Sequence, residues 1–73
     1  MSHPTRQSLI RDCIRDQLND YRCAIKYANQ YHARGRHDKA EAEEEYGFKC
    51  LRQALLWYRQ RHRIQLNRYG WPL

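Results

Sequence analysis

From Tyr46 to Leu73 the chain has no acidic residue, although the same stretch carries six Lys/Arg. A C-terminal third of one sign is poor in internal ion pairs and attracts the opposite charge, so an anionic partner, either nucleic acid or an acidic protein, is the first expectation. Glycine and proline are scarce, with three and two residues in 73. That scarcity excludes a loop-rich fold and a low-complexity linker. No apolar run approaches the roughly 18 residues of a membrane span, and Met1-Ser2-His3-Pro4-Thr5-Arg6 lacks the apolar stretch of a secretory signal. The expected location is the cytoplasm, with no membrane partner. Cysteine occurs three times, an odd number without a Cys-x-x-Cys pair, which excludes a disulfide framework and leaves Cys13, Cys23 and Cys50 as small buried hydrophobes.

What is present is a basic chain of net charge +6 that is 41% hydrophobic and 30% charged. This is too apolar for a disordered tail and suits one small helical domain. A chain of this length buries little surface alone, so self-association is expected to supplement its core. The charges are blocked along it: residues 1–37 carry seven Lys/Arg and three acids, and residues 38–45 carry five acids and Lys39.

Pro4 suits a first helical turn, Gly35 a left-handed stop after Arg34, and Asp38 with Glu41 a capping box for a second helix. Gly70 and Pro72 would end that helix. The fold predicted is all-α, an antiparallel hairpin with a first helix over about 4–34, a turn at 35–38, a second helix over about 39–69 and a short tail at 70–73. Ile10, Ile14, Leu18, Tyr21, Ile25, Ala28 and His32 recur by threes and fours, as do Phe48, Leu51, Leu55, Tyr58 and His62, followed by Tyr69 with Leu66 beside it, and these two stripes are the expected seam. Folding about the turn then sets Ile14 level with Tyr58, Leu18 with Ala54 and Ile10 with His62.

At about 100° per residue, the sides flanking that seam differ in chemistry. One gathers Arg11, Arg15, Arg22 and Lys26 from the first helix with Lys49, Arg52, Arg59 and Arg63 from the second, and Asn29, Gln60 and Asn67 lie nearby. Like charges four apart are mildly destabilising in a helix, so the grouping reads as a footprint for phosphates or acidic side chains. The plainer alternative is a solvated basic face. The other side gathers Leu9, Cys13, Ala24, Tyr27 and Tyr31 with Ala40, Gly47, Cys50 and Ala54, small and aromatic residues that suit a two-fold dimer closing into a four-helix bundle. The alternative there is a monomer whose chain ends fold over this face. A further stripe of Tyr46, Cys50, Trp57 and Ile64 on the back of the second helix either widens the dimer contact or captures a different protein.

Catalytic signatures are missing. Glu43, Glu44 and Glu45 are contiguous and diverge, no glycine-rich phosphate loop occurs, and two helices enclose no obvious pocket, so neither an enzyme nor a cofactor is expected. The histidines and cysteines lack ligand spacing, so no metal is expected either.

The two-helix layout and the Gly35–Asp38 turn resemble the Rop-type helical hairpins that regulate plasmid copy number. That resemblance implies a homodimeric four-helix bundle engaging RNA through one face, and it carries over no functional residue. In size and style the chain also resembles small early-region proteins of lambdoid temperate phages, which implies action in the host cytoplasm. Two functions follow as expectations: a dimeric regulatory protein binding nucleic acid on the basic face, or an adaptor or inhibitor docking the Tyr/Trp/Ile stripe on a host protein.

Overall fold

The two halves of the chain form one helical hairpin. The computed structural model describes residues 5–73, in which α1 spans Arg6–Ala33 and α2 spans His37–Arg59. Thr5 sets the start of α1: its backbone is extended and its hydroxyl accepts from the Ser8 amide at 3.1 Å, satisfying a donor the helix itself leaves unpaired. Pro4, read as part of the first turn, lies outside the described residues.

At the turn, Gly35 takes φ +73° in the left-handed region. Its amide donates to the His32 carbonyl at 3.0 Å and the Arg36 amide to the Tyr31 carbonyl at 2.8 Å, a Schellman closure that uses up the orphan carbonyls of α1. This closure delivers the chain into α2 immediately after Arg36. Asp38 therefore sits inside the first turn of α2, 3.7 Å from Arg36, and does not form the capping box expected with Glu41; Arg36 is the cap residue, and its side chain makes no capping bond.

The largest departure from the expected boundaries is that α2 stops at Arg59, ten residues before Tyr69. The run Arg59-Gln60-Arg61-His62-Arg63 has no apolar side chain to bury, so extending the helix would gain nothing from packing. The chain instead turns back. Ile64 is buried, Leu66 and Pro72 pair in an isolated antiparallel bridge, and the Asn67 side chain accepts from the amides of Tyr69 and Trp71 at 2.9 and 3.1 Å. Gly70, at φ +83°, lies over Leu9, its carbonyl accepts from the Cys13 thiol at 3.4 Å, and Arg6 donates to the carbonyls of Ile64 and Arg61. Residues 60–73 thus strap the open end of the hairpin.

The seam is also different. Ile10, Cys13, Ala24 and Ala28 of α1 are buried, as are Ala40, Gly47, Cys50 and Ala54 of α2. A Cβ on Gly47 would lie 3.1 Å from the Ala24 Cβ, so the backbones meet closely there. The small-residue face expected to hold a second copy is therefore the hairpin's own interior. Of the stripe expected as the seam, Ile10 and Ala28 are indeed interior, while Ile14, Leu18, Tyr21, Ile25 and Leu51 are half-buried beside it, and Phe48, Leu55 and Tyr58 are 46%, 48% and 55% exposed. Both stripes recur with the helical period, and periodicity does not rank them; small side chains win because they let two long backbones approach and share dispersion contacts along their length.

A thiol prediction follows from this burial. Cys13 and Cys50 are buried and Cys23 is exposed. Burial first, then the charges of Asp16 and Asp12, pushes the Cys13 thiol above its usual range, which suppresses the reactive thiolate. Titration of the native protein with a chromogenic disulfide reagent should show one fast thiol, abolished by Cys23→Ser, and two that react only on unfolding. Fast reaction of Cys13 would contradict the strap.

Candidate partner-binding surface

Rotating the small residues inward leaves the large ones on one flank, and their placement defines the candidate surface. At the open end, Ile10, Ile14 and Leu18 of α1 and Tyr58 of α2 line a hollow of about 680 Å³, with Thr5, Gln7, Ser8, Arg11, Arg15, Arg61 and His62 around it. A smaller hollow of about 180 Å³ continues it along Ile14, Leu18, Ala54, Leu55 and Tyr58. Towards the turn the flank carries on through Tyr21 and Phe48, whose rings are 6.4 Å apart. It ends where His32 bridges the helices, with Nε2 2.7 Å from Glu44 Oε1 and Nδ1 2.7 Å from His37 Nδ1. Of the levels anticipated from the turn, Ile14 and Tyr58 line both hollows and Leu18 shares the smaller one with Ala54; Ile10 and His62 both line the larger one, but His62 lies past the end of α2 and is not placed there by helical register.

The rims are cationic. Arg11, Arg22 and Lys26 of α1 and Arg52 and Arg59 of α2 have no carboxylate within 4.0 Å among the described residues, whereas Arg15 pairs with Asp12 at 3.4 Å and Lys49 with Glu45 at 3.8 Å. Both of those pairs are mostly exposed and hold their partners weakly. Arg63 belongs to the turn after α2, so it leaves the helical row in which it was placed. Arg61 takes a more defined position: its Nη1 donates to the Tyr58 carbonyl at 2.7 Å and its guanidinium lies 4.4 Å from the centre of the Tyr58 ring. This contact both caps α2 and fixes a positive charge at the edge of the hollow.

The other residues expected at an interface divide. Cys13, Ala24, Gly47, Cys50 and Ala54 are internal to the hairpin, and Ile64 is buried in the strap. Leu9 is half-buried against Gly70, and Tyr31 is half-buried with Lys39 Nζ 5.8 Å from its ring centre. Trp57 is half-buried, and only Tyr27 and Tyr46 point outward, at 52% and 53% exposure. The proposed Tyr46–Cys50–Trp57–Ile64 stripe is therefore not a surface: with α2 stopping at Arg59, Ile64 no longer continues its period. Sequence reasoning missed Ile14, Leu18, Leu55, Tyr58 and Arg61 as surface residues. The available signal was two apolar stripes per helix, one small and one large, when a hairpin needs only one.

Among the described residues no group of His, Cys, Asp and Glu is placed to hold a metal ion, and no helix is long and apolar enough to cross a membrane. Fold and surface together define a class, an all-α two-helix hairpin strapped by its C-terminal segment and displaying an apolar flank between arginine rims. No family model, curated protein or solved structure matches the chain. The likeness to Rop-type hairpins is thus one of layout alone.

Proposed function

We propose that the chain is a non-enzymatic binding protein, an adaptor or inhibitor that holds another protein on the apolar flank of Ile14, Leu18, Leu55 and Tyr58. The observation that carries this reading is the inversion of sizes: alanine, glycine and cysteine fill the interior while Phe48, Leu55 and Tyr58 stand about half exposed. Contiguous apolar surface of this kind on a small soluble chain marks an interaction site, and the arginines at its edge supply orientation and partner selection. The four-helix bundle expected from the sequence would have to form through this same flank, because the small-residue face is already occupied within one chain.

A second reading, nucleic-acid binding, is favoured by one observation, the absence among the described residues of a carboxylate within 4.0 Å of Arg11, Arg22, Lys26, Arg52 or Arg59. Phosphate contacts need free cations of this kind and little else.

One experiment separates the two. A photo-crosslinking amino acid placed at Leu55, and as a control at Gln30 on the far side of α1, is activated in the native cells. Adducts to one discrete protein from Leu55 and not from Gln30 are expected. Adducts to nucleic acid alone, or equal labelling from both positions, would overturn the protein-binding reading.

A further inference from the structure

We infer that the hollow at the open end receives an acidic amphipathic helix of the partner protein; this inference rests on the protein-binding reading above. Three features of the hollow select that occupant. Its floor is apolar and elongated, formed by Ile10, Ile14 and Leu18 facing Tyr58 and Leu55, and a furrow between two antiparallel helices accepts the ridge of a third. From Ile10 to Leu18 the floor runs about 12 Å, matching about two turns of an incoming helix. Four groups around the floor, Arg11, Arg15, Arg61 and His62, are basic or imidazole, and among the described residues no carboxylate lines it.

Charge complementarity therefore asks for a helix with apolar side chains at i, i+3 or i+4, and i+7, flanked by Asp or Glu on both sides. Arg61 is the best prepared of the four. It is already held by the Tyr58 carbonyl and ring, so meeting a carboxylate costs it less side-chain freedom than it would cost an unrestrained arginine. Arg11 is fully available, and Arg15 exchanges an exposed pair with Asp12 for one across the interface.

A second copy of this chain fits the hollow poorly. One two-fold arrangement of the flank sets open end on open end, bringing Arg11, Arg15 and Arg61 against their equivalents. The other sets α1 on α1, bringing Arg11 and Arg15 against Arg22 and Lys26. Both place like charges together in a contact that removes water, which opposes closure. Nucleic acid would leave the apolar floor of Ile10, Ile14 and Leu18 unpaired.

The test uses the full chain and four fluorescent probes: a helix-stabilised 15-residue peptide with leucines on one face and glutamates beside them, its twin with lysine for every glutamate, a 15-nucleotide duplex and a 15-nucleotide single strand. The glutamate peptide is offered in several leucine registers. It is expected to bind in the micromolar range and at least about tenfold tighter than the lysine twin, with affinity falling as salt rises. Arg11→Glu and Arg61→Glu should each weaken it about tenfold, and Arg34→Glu at the turn should leave it unchanged. Arg11 is exposed and makes no ion pair within 4.0 Å among the described residues, so its variant reads out binding even if Arg61→Glu loosens the end of α2. Equal affinity for the two peptides, no binding in any register, displacement of the glutamate peptide by the oligonucleotides, or a dimer in sedimentation that protects Tyr58 would each overturn the inference. If Leu55 crosslinks to a protein while acidic peptides fail, this inference falls and the protein-binding reading stands. If no protein is crosslinked, both fall.

Discussion

Replacing Gly47 with leucine is expected to destabilise the hairpin strongly. The position is where the two backbones come closest: a Cβ there would stand 3.1 Å from the Ala24 Cβ, 3.5 Å from Tyr21 Cδ1 and 3.5 Å from the Tyr21 carbonyl oxygen. One methyl is nearly tolerated, since a shift of a few tenths of an ångström relieves the contact with Ala24 and alanine gains about 1 kcal/mol in helix propensity over glycine. Gly47→Ala should therefore lie within about 1 kcal/mol of the natural chain. Leucine adds three further carbons into backbone and ring, and overpacking of a tight core costs about 1–3 kcal/mol and sometimes more. Small domains have only about 5 kcal/mol to lose, and neither hollow on the flank reaches Gly47 to take the extra atoms. Thermal and urea unfolding followed by helical circular dichroism would show the pair of results. If Gly47→Leu melts with the natural chain, the small residues are not the seam.

Removing residues 64–73 is expected to have the second largest effect. The segment supplies the buried Ile64, covers Leu9 with Gly70, accepts the Cys13 thiol proton at the Gly70 carbonyl and receives the Arg6 guanidinium at the Ile64 carbonyl. Burial of one isoleucine is worth about 1.5–3 kcal/mol, and the loss also exposes Ile10 and Cys13 to water. A chain ending at Arg63 should thus be less stable by about 3 kcal/mol, with fraying concentrated in the first turns of α1. Two readouts separate this from general unfolding: Cys13 should join Cys23 as a fast-reacting thiol, and Cys50, deep between the helices, should stay protected. A truncated chain with unchanged melting and a silent Cys13 would mean that the strap contributes no stability.

These two variants probe the parts of the fold that differ in how readable they were. The turn was local information. Gly35 is the one residue near the midpoint free to take a positive φ without a Cβ penalty, and the Schellman closure around it involves neighbours only. The stop of α2 was misread because Gly70 and Pro72 are strong terminators. The helix had already ended at Arg59, in a run that no single residue marks as a break. Its end is a packing outcome: residues 59–63 carry no apolar side chain to lay on the first turns of α1, and Ile64 is buried where the chain returns.

The surface followed the same division. Ile14, Leu18, Leu55 and Tyr58 were recognised as apolar and periodic but assigned inward, while Cys13, Ala24, Gly47, Cys50 and Ala54 were assigned to a partner. Rotating both helices exchanges those roles while Ile10 and Ala28 stay inside and Tyr27 points outward. Arg11, Arg15, Arg22, Lys26, Arg52 and Arg59 kept their character as a cationic border, but what they border changed from a dimer's outer face to an apolar furrow.

By itself, the sequence determined that the chain is two long helices about a glycine turn, with an acidic block just after the turn and basic segments on either side of it, because propensity, capping and charge are properties of residues and their near neighbours. Only the tertiary structure decided which of two equally periodic stripes is interior, where α2 stops and what the final residues cover. Those outcomes depend on how closely two backbones approach and on contacts between residues more than fifty positions apart, such as Arg6 with Ile64 and Cys13 with Gly70. Local patterns carry no record of either.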